Sequence, residues 1–383
     1  MSGGTDVAGP QAEALIDLDA YRQNLHNLAA CAPGSQLMAV VKANAYGHGM
    51  AACARAAREA GADWLGVSTI AEARGLRESG DTGDVLCWLE SPGADFAGAI
   101  EHDIQVTASG VAQLEEIVAA AGTGSSRSRA NVQLKVDTGL SRNGAYGQEW
   151  PRLLEAAVAA QAKGKITVSG VWSHLACADE PDNPANASQE KAFLEAVAAM
   201  ESVGLEPGLK HLANSAATLT RPSVHFDLVR VGIASYGISP DPALRLTTEL
   251  TPVMTLRGRL AAAKRVAAGS GVSYGHTYVT ERETTLGLVP MGYGDGIVRT
   301  ASNKAEAAFA GARVPVAGVI CMDQFVIDVG DIEAKAGDVA TLFGPGTDGE
   351  PSAADWAEAA GTIGYEIVTR LGGRIERTYR GVR

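Results

Sequence analysis

From about residue 37 to 231, short β-branched apolar runs alternate with alanine-rich stretches whose apolar positions recur every three or four residues. Eight of the runs read as strands: LMAVVK (37–42), WLGVS (64–68), DVLCWL (84–89), IQVT (104–107), NVQLKVD (131–137), GVWSH (170–174), KHLAN (210–214) and DLVR (227–230). The stretches between them, such as Gln148–Lys163 and Ala187–Val203, carry one apolar and one polar face and read as helices. Buried strands alternating with amphipathic helices are the habit of parallel βαβ units. Eight such units in about 200 residues predict an α/β fold of the (β/α)8 TIM-barrel type, with an open doubly wound sheet as the alternative. A ninth strand, AEALIDL, precedes the helix Asp19–Ala30 and lies outside the eight; its residues 14–18 are free to pair with the second half of the chain.

After Thr251-Pro252 the texture changes to long alternating runs, MTLRGRLAAAKRV, TTLGLVPMGYGDG and RVPVAGVICMDQFVIDV, broken by glycine-rich turns, with one helix candidate near 352–360. The expected organisation is a flexible tail over 1–12, a barrel domain over 13–247 and a mainly-β domain over 248–383. GTGSSRSR (122–129) reads as a flexible loop.

Composition narrows the function classes. The chain has 383 residues, 46% apolar and 20% charged, which is a globular balance, and its net charge of −12 repels phosphate backbones and anionic lipid. Nucleic acid and membrane are therefore excluded as partners. No run reaches the roughly 18 apolar residues of a membrane span, and MSGGTDVAGPQAEA lacks the basic and apolar regions of an export signal, so a cytoplasmic location is expected. Five cysteines (Cys31, Cys53, Cys87, Cys177 and Cys321) are widely spaced with no CxxC pair, so neither disulfides nor a metal site is expected. The sequon at Asn186 carries no meaning in that compartment.

In a barrel, chemistry collects at the C-terminal ends of the strands. The first strand ends in Lys42, followed by AlaAsnAlaTyrGlyHisGly. An ammonium buried there loses hydration, its pKa falls, and the neutral amine can attack an aldehyde to form a Schiff base. A lysine that merely snorkels to solvent is the bland alternative. Strand five delivers Lys135, Asp137 and, past a glycine turn, Arg142; strand six delivers His174; strand seven Asn214 and Ser215; strand eight Arg230, then Gly232 and Ile233. Singly, Lys135 with Asp137 reads as an ion pair and His174 as a core histidine; five polar strand tips together read as a site. Ser215 with the amides after Gly232 suits a phosphate without a P-loop, and no GxxxxGK[ST] occurs. The GxGxxG match at Gly344–Gly349 contains Pro345 and runs into Glu350-Pro351, so it reads as a turn.

AVVKANAYGHG, KVDTGLSRNG, HLANSAA, DLVRVGIASYG, GVSYGHTY, MGYGDG and VICMDQF, in this order over about residues 14 to 380, resemble the alanine racemases, the barrel-fold pyridoxal-phosphate family. The resemblance implies a pyridoxal 5′-phosphate (PLP) enzyme that interconverts L- and D-alanine and supplies D-alanine for peptidoglycan. It implies that Lys42 carries the cofactor and is one base, while Tyr274, entering from the other subunit of a homodimer, is the second. His174 and Arg230 would favour the tyrosinate, and Arg230 would also face the pyridine nitrogen. Arg142 would hold the cofactor's phenolic oxygen and the substrate carboxylate, helped by the Met322 amide from the other subunit. Lys135 would position Arg142, in some members as a carbamate. Tyr46, Asn214, Ser215, Gly232, Ile233 and Tyr365 fall at the cofactor, most of them at its phosphate. Tyr293 and Tyr365 would narrow the entrance, and Asp323 would stand in support. Without the resemblance, Tyr274 and Tyr293 read as aromatics packing a sheet, Met322 as core, and Cys177 and Cys321 as small buried side chains.

Three other readings compete. A racemase of serine or other small amino acids shares the chemistry. A barrel-fold PLP decarboxylase uses a glycine triplet for phosphate and an acid at the pyridine nitrogen, where this sequence has no triplet and has Arg230. A non-catalytic PLP-binding barrel resembles the first domain only.

Overall fold

The computed structural model describes residues 9–122 and 129–382. Positions 1–8 of the expected tail and 123–128 of the expected loop lie outside the described residues. The chain forms two compact units, one of residues 21–45 and 50–250, the other of residues up to 20, 46–49 and 251 onward.

The first strand, β1 (Ala12–Asp17), belongs to the second of these units. The first unit is the barrel. Its strands are β2 (Gln36–Val40), β3 (Trp64–Val67), β4 (Asp84–Cys87), β5 (Gln105–Ala108), β6 (Ala130–Lys135), β7 (Ile166–Trp172), β8 (Leu209–His211) and β9 (Leu228–Val231). They form one sheet in the order β8-β7-β6-β5-β4-β3-β2-β9, every pair parallel. Between its two end strands, Arg230 N–H donates to Ala213 O at 3.1 Å and Asp227 N–H to Lys210 O at 3.0 Å, which all but closes the circle. Eight parallel strands, seven followed by an α-helix and the last, β9, by the 3-10 turn Ile233–Tyr236, make a TIM-type barrel.

The strands start and stop for local reasons. Strand seven was expected to run through Asn214 but ends at His211, because the Asn214 side chain turns to cap the helix Ser215–Thr220 by accepting from Ala217 N–H. The helix expected from Ala187 begins at Pro184, with Asn183 as its cap and the proline at a position whose missing N–H costs nothing. Inside the barrel, Met38, Trp64, Leu86 and Leu228 form an apolar cluster, with Trp88 and Leu209 packed against it. Gly66 of β3 makes room for Trp88: a methyl group there would sit 2.7 Å from both the indole ring and the Met38 sulfur.

In the second unit β1 pairs antiparallel with β10 (Met254–Arg259). The remaining strands are β11 (Ala262–Val266), β12 (Gly271–Val272), β13 (Tyr278–Val279), β14 (Thr284–Val289), β15 (Glu306–Phe309), β16 (Ala312–Pro315), β17 (Phe325–Gly330), β18 (Val339–Phe343) and β19 (Glu376–Arg380). A six-stranded sheet runs β16-β15-β18-β10-β1-β19, with β1 parallel to β19; β11-β14-β17 and β12-β13 form two smaller sheets. The long alternating runs are therefore split. MTLRGRLAAAKRV breaks at Leu260–Ala261 into strands of different sheets, and RVPVAGVICMDQFVIDV is two strands with residues 316–324 as a loop between them. Helices Ala353–Ala360 and Gly364–Thr369 complete the unit. Among the described residues no helix is long and apolar enough to cross a membrane.

Gly66→Ala should force Trp88 off its packing position and destabilise the chain by about 1–3 kcal/mol, the usual cost of overfilling a core. A urea-unfolding midpoint identical to that of the parent would show that the barrel interior has slack at this position.

Candidate active site

Lys42 follows β2, and the chain behind it turns the wrong way. Ala43, Asn44 and Ala45 have φ near +53° with ψ near +49°, and Tyr46 has φ +51°, a left-handed turn made without glycine. Left-handed backbone costs a residue bearing a Cβ roughly 1–2 kcal/mol. Local hydrogen bonds offset it: Ala43 N–H donates to the Glu72 carboxylate at 2.7 Å, Ala45 N–H to Val41 O at 2.8 Å, and the Asn44 side chain accepts from Met50 N–H at 2.9 Å. Glu72 also accepts from Ser68 and Thr69 N–H while its helix is capped by Thr69, so one carboxylate ties together the ends of two strands.

Around Lys42 the barrel gathers cations and few anions. Its Nζ lies 5.8 Å from the Trp88 ring centre. Lys135, at the end of β6, is buried with Nζ 4.2 Å over the Trp172 ring, and Arg230 Cζ lies 4.9 Å over the same ring. No salt bridge joins Lys135 and Asp137 among the described residues; the Asp137 carboxylate instead accepts from Gly139 and Ser141 N–H, shaping the turn that presents the exposed Arg142. Burial lowers the Lys42 pKa, and the Arg142 and Arg230 charges push the same way against the opposing pull of Glu72. For Lys135 burial, then Arg230 and Arg142, bring the pKa down to about 7. His174 is held well below its ordinary value by burial and by Arg230, Arg142 and both lysines.

Arg230, only 5% exposed, has no carboxylate partner among the described residues. Its Nη2 donates to Ser173 O at 2.9 Å, Leu212 O at 3.2 Å and His174 Nδ1 at 3.2 Å, and its Nη1 to His211 Nδ1 at 3.1 Å. Burial pulls its pKa to about 9, which leaves it charged at neutral pH. Because a guanidinium only donates, both imidazoles present a bare Nδ1 to it and carry their protons on Nε2. Gln189 fixes the neighbouring loops, donating to Thr138 Oγ1 at 3.2 Å and His174 O at 3.1 Å and accepting from Ala176 N–H at 2.8 Å. At the ends of β8 and β9 the buried Ser215 Oγ accepts from Gly232 N–H at 2.8 Å and Ala234 N–H at 3.4 Å, which leaves its own O–H to donate.

The other expected residues lie in the strand-rich unit. Tyr46 and Tyr365 rings meet at 6.3 Å. Tyr46–Gly49 belongs to this unit, where a Cβ on Gly47 would fall 2.1 Å from Val368 O and one on Gly49 2.0 Å from the Tyr379 hydroxyl. Tyr293 N–H donates to Cys321 O at 3.0 Å and Gly294 N–H to Met322 O at 2.9 Å, an approach so close that Gly292 has no space for a side chain. Beneath these loops Arg374 bridges the buried Asp295 and the exposed Asp323, each at 2.8 Å. Ser273, at φ +61°, donates to Val319 O at 2.8 Å and touches Cys321 Sγ at 3.4 Å, setting Tyr274 beside the same loop. Tyr274, Met322 and Tyr293 are 75%, 55% and 40% exposed. Cys177 and Cys321 are half-buried rather than core.

Sequence reasoning passed over His211, Gln133, Trp172, Glu72, Gln189 and the Asp295–Arg374 pair. A signal existed for Gln133: it is an amide between Val132 and Leu134 in a mostly buried strand, and a buried polar side chain needs a partner.

Residues 16–240 match the alanine racemase N-terminal domain model and residues 253–379 the alanine racemase C-terminal domain model. The alanine racemase of Thermobifida fusca is 52% identical over 370 residues, covering 97% of this chain and 98% of the relative; that of Streptomyces coelicolor is 52% identical, covering 96% of each. The crystal structure of alanine racemase from D-cycloserine-producing Streptomyces lavendulae superposes with a TM-score of 0.94 at 54% identity, covering 98% of both chains. The matched families span both units and share the eight-stranded barrel with its strand-rich companion, so the chain belongs to the alanine racemase family and is, as its relatives are, an isomerase.

Proposed function

We propose that this chain interconverts L- and D-alanine with PLP by two-base proton transfer, Lys42 serving one face of the substrate and Tyr274 of a second copy serving the other, and that it supplies D-alanine for peptidoglycan. The observation that carries this reading is the setting of Lys42: a half-buried amine at a strand end whose pKa is lowered by burial and by Arg142 and Arg230 against the pull of Glu72, which raises the share of its neutral, nucleophilic form.

The residues present fit the cofactor. Arg142 and Arg230 bring positive charge to the barrel, beside two lysines whose pKa values are lowered, with little carboxylate to neutralise it, which suits a ligand bearing phosphate and phenolate. Ser215 with its free O–H, the Gly232 and Ile233 backbone, Asn214 at the helix cap, and Tyr46 with Tyr365 would hold the phosphate end. When bound, PLP supplies an aldehyde for the amine and a sink for the charge left when the α-proton departs. Arg230 would face the ring nitrogen as a donor that keeps its proton, which limits the sink and favours prompt return of the α-proton over side reactions.

Inversion needs a proton acceptor on each side of the α-carbon. Lys42 is one. A free phenol titrates near about 10, so a tyrosinate base needs cationic and donor neighbours; His174, with Nε2–H left to donate, and Arg230 behind it would supply them. The exposure of Tyr274 and Met322 in the single chain supports their use by a second copy in a homodimer. Arg142 and the Met322 amide would take the substrate carboxylate, Lys135 would position Arg142, Asp323 would brace the Met322 loop through Arg374, and Tyr293 and Tyr365 would restrict the side chain to a methyl group.

The test is incubation of the purified protein and PLP with L-alanine in D2O, following optical rotation and α-deuteration together. Loss of rotation with deuterium entering at each inversion is expected; carbon dioxide release, or equal turnover of L-serine, would displace the reading. Tyr274→Phe should cut racemisation about 10²–10⁴-fold in both directions, since the overall equilibrium ties them, yet leave deuterium exchange of one enantiomer running on the Lys42 face. Exchange lost equally for both enantiomers would remove Tyr274 from its role.

Burial of neutral His174 and His211 also dictates a pH dependence of stability. An unfolded histidine takes up a proton near about pH 6.5 while the folded one does not. The unfolded state therefore binds more protons below that point, and stability should fall as pH drops from about 7.5 to 5.5, by up to about 1.4 kcal/mol per pH unit for each group. A urea midpoint constant over that interval would mean that the two imidazoles titrate alike in both states.

A further inference from the structure

Behind Arg230 runs a polar chain for which the proposed chemistry has no use. From Arg230 on β9 it passes to His211 on β8, whose Nε2 lies 2.6 Å from Gln133 Oε1 on β6. Gln133 Nε2 donates to Gln105 Oε1 on β5 at 3.3 Å, and Ser169 of β7 donates to the same oxygen at 2.7 Å. Gln105 Nε2 in turn donates to Asp84 Oδ1 at 3.4 Å. His211 and Gln133 are fully buried, and the His211 ring lies parallel to Trp172 at 5.6 Å, pinned between the indole and the amide.

The chain has one sense. Gln105 must point its nitrogen at Asp84, because a carboxylate only accepts. Its oxygen is then available to Ser169 and to the Gln133 nitrogen, which turns the Gln133 oxygen toward His211. An oxygen at that place accepts from Nε2–H, and that leaves Nδ1 as a lone pair facing the guanidinium. Reversing the Gln133 amide would set donor against donor at His211 and acceptor against acceptor at Gln105, among buried groups.

We propose that Gln133 is a positioning residue for Arg230: its side-chain oxygen holds His211 as the Nε2–H tautomer, so that Nδ1 remains a bare acceptor aimed at the guanidinium. The consequence for catalysis rests on the role given above to Arg230; the tautomer does not. Glutamate at 133 would draw a second proton onto the ring and set an imidazolium against Arg230. Leucine would leave Nε2–H unpaired and free the ring to move its proton to Nδ1, where it would repel the Nη1–H.

The test uses the PLP-loaded protein labelled with 15N-histidine, its seven histidines resolved by long-range 1H–15N correlation and His211 assigned by its loss in His211→Gln. A pyrrole-type Nε2 and a pyridine-type Nδ1 are expected for the parent. In Gln133→Leu the His211 signals should shift to mixed tautomers, with kcat down about tenfold in both directions and the alanine KM within about twofold. Gln133→Glu should show a doubly protonated His211 and a larger loss of kcat. A parent His211 protonated on Nδ1 overturns the proposal even if neither variant folds, and so does a Gln133→Leu protein with unchanged tautomer and kcat. The expected spectrum in a parent that never racemises alanine would strike the functional reading alone and uphold the tautomer.

Discussion

A guanidinium buried among neutral acceptors governs this site. Taking a charge out of water costs several kcal/mol, and proteins usually repay it with a carboxylate. Around Arg230 the repayment comes from two carbonyls, two imidazole lone pairs and the face of Trp172, none of which carries charge. The positive field is therefore satisfied locally yet not cancelled. It reaches Lys42, Lys135 and His174 and acts on each in the same direction, toward the uncharged form. A carboxylate in place of either imidazole would quench that field and let the lysines return toward ammonium.

The same economy appears in the backbone behind Lys42. Four residues with a Cβ accept left-handed conformations, a local strain of the kind that persists only where the surroundings over-determine it. Glu72 supplies much of that constraint, and its distance in sequence is modest because successive strands of a parallel barrel are neighbours. Its charge opposes the arginines at Lys42, so the carboxylate that fixes the turn also limits how far the amine is discharged. Glu72 could be reached only through the fold, since the capping motif around Thr69 gives an ample local reason for a glutamate there.

Short β-branched runs alternating with alanine-rich stretches marked all eight barrel strands, and periodicity placed helices such as the one over residues 148–163, because most barrel strands are buried on both faces and read as short apolar runs. Edges were harder. Asn214 looks like a strand residue until the helix it caps is known, and the helix that Asn183 caps starts at Pro184, three residues before the apolar face that marks it in the sequence. Lys42, Lys135, His174 and Arg230 were legible as polar groups where a barrel strand should end. Tyr274, Tyr293 and Met322 were not: each sits on a loop with an unexceptional local pattern, and only the family resemblance singled them out. The partners of the cations were invisible for another reason, since Gln133, His211 and Gln189 act through contacts 13 to 78 residues away in sequence.

Stability and function pull apart in the barrel interior. Gln105, Gln133 and His211 fill space that leucine and valine could fill with less cost, since buried polar groups at best break even with well-packed apolar ones. Its return is geometric. Arg230 has several torsions and five donors, and an apolar floor would leave Nη1 without a direction. Anchoring one lone pair under Nη1 and another beside Nη2 fixes the plane of the guanidinium from two sides, while the Trp172 face fixes it from a third. A group meant to offer one hydrogen bond to a planar ligand has to be held in a plane, and an interior paved with amides is what this chain spends to hold it there.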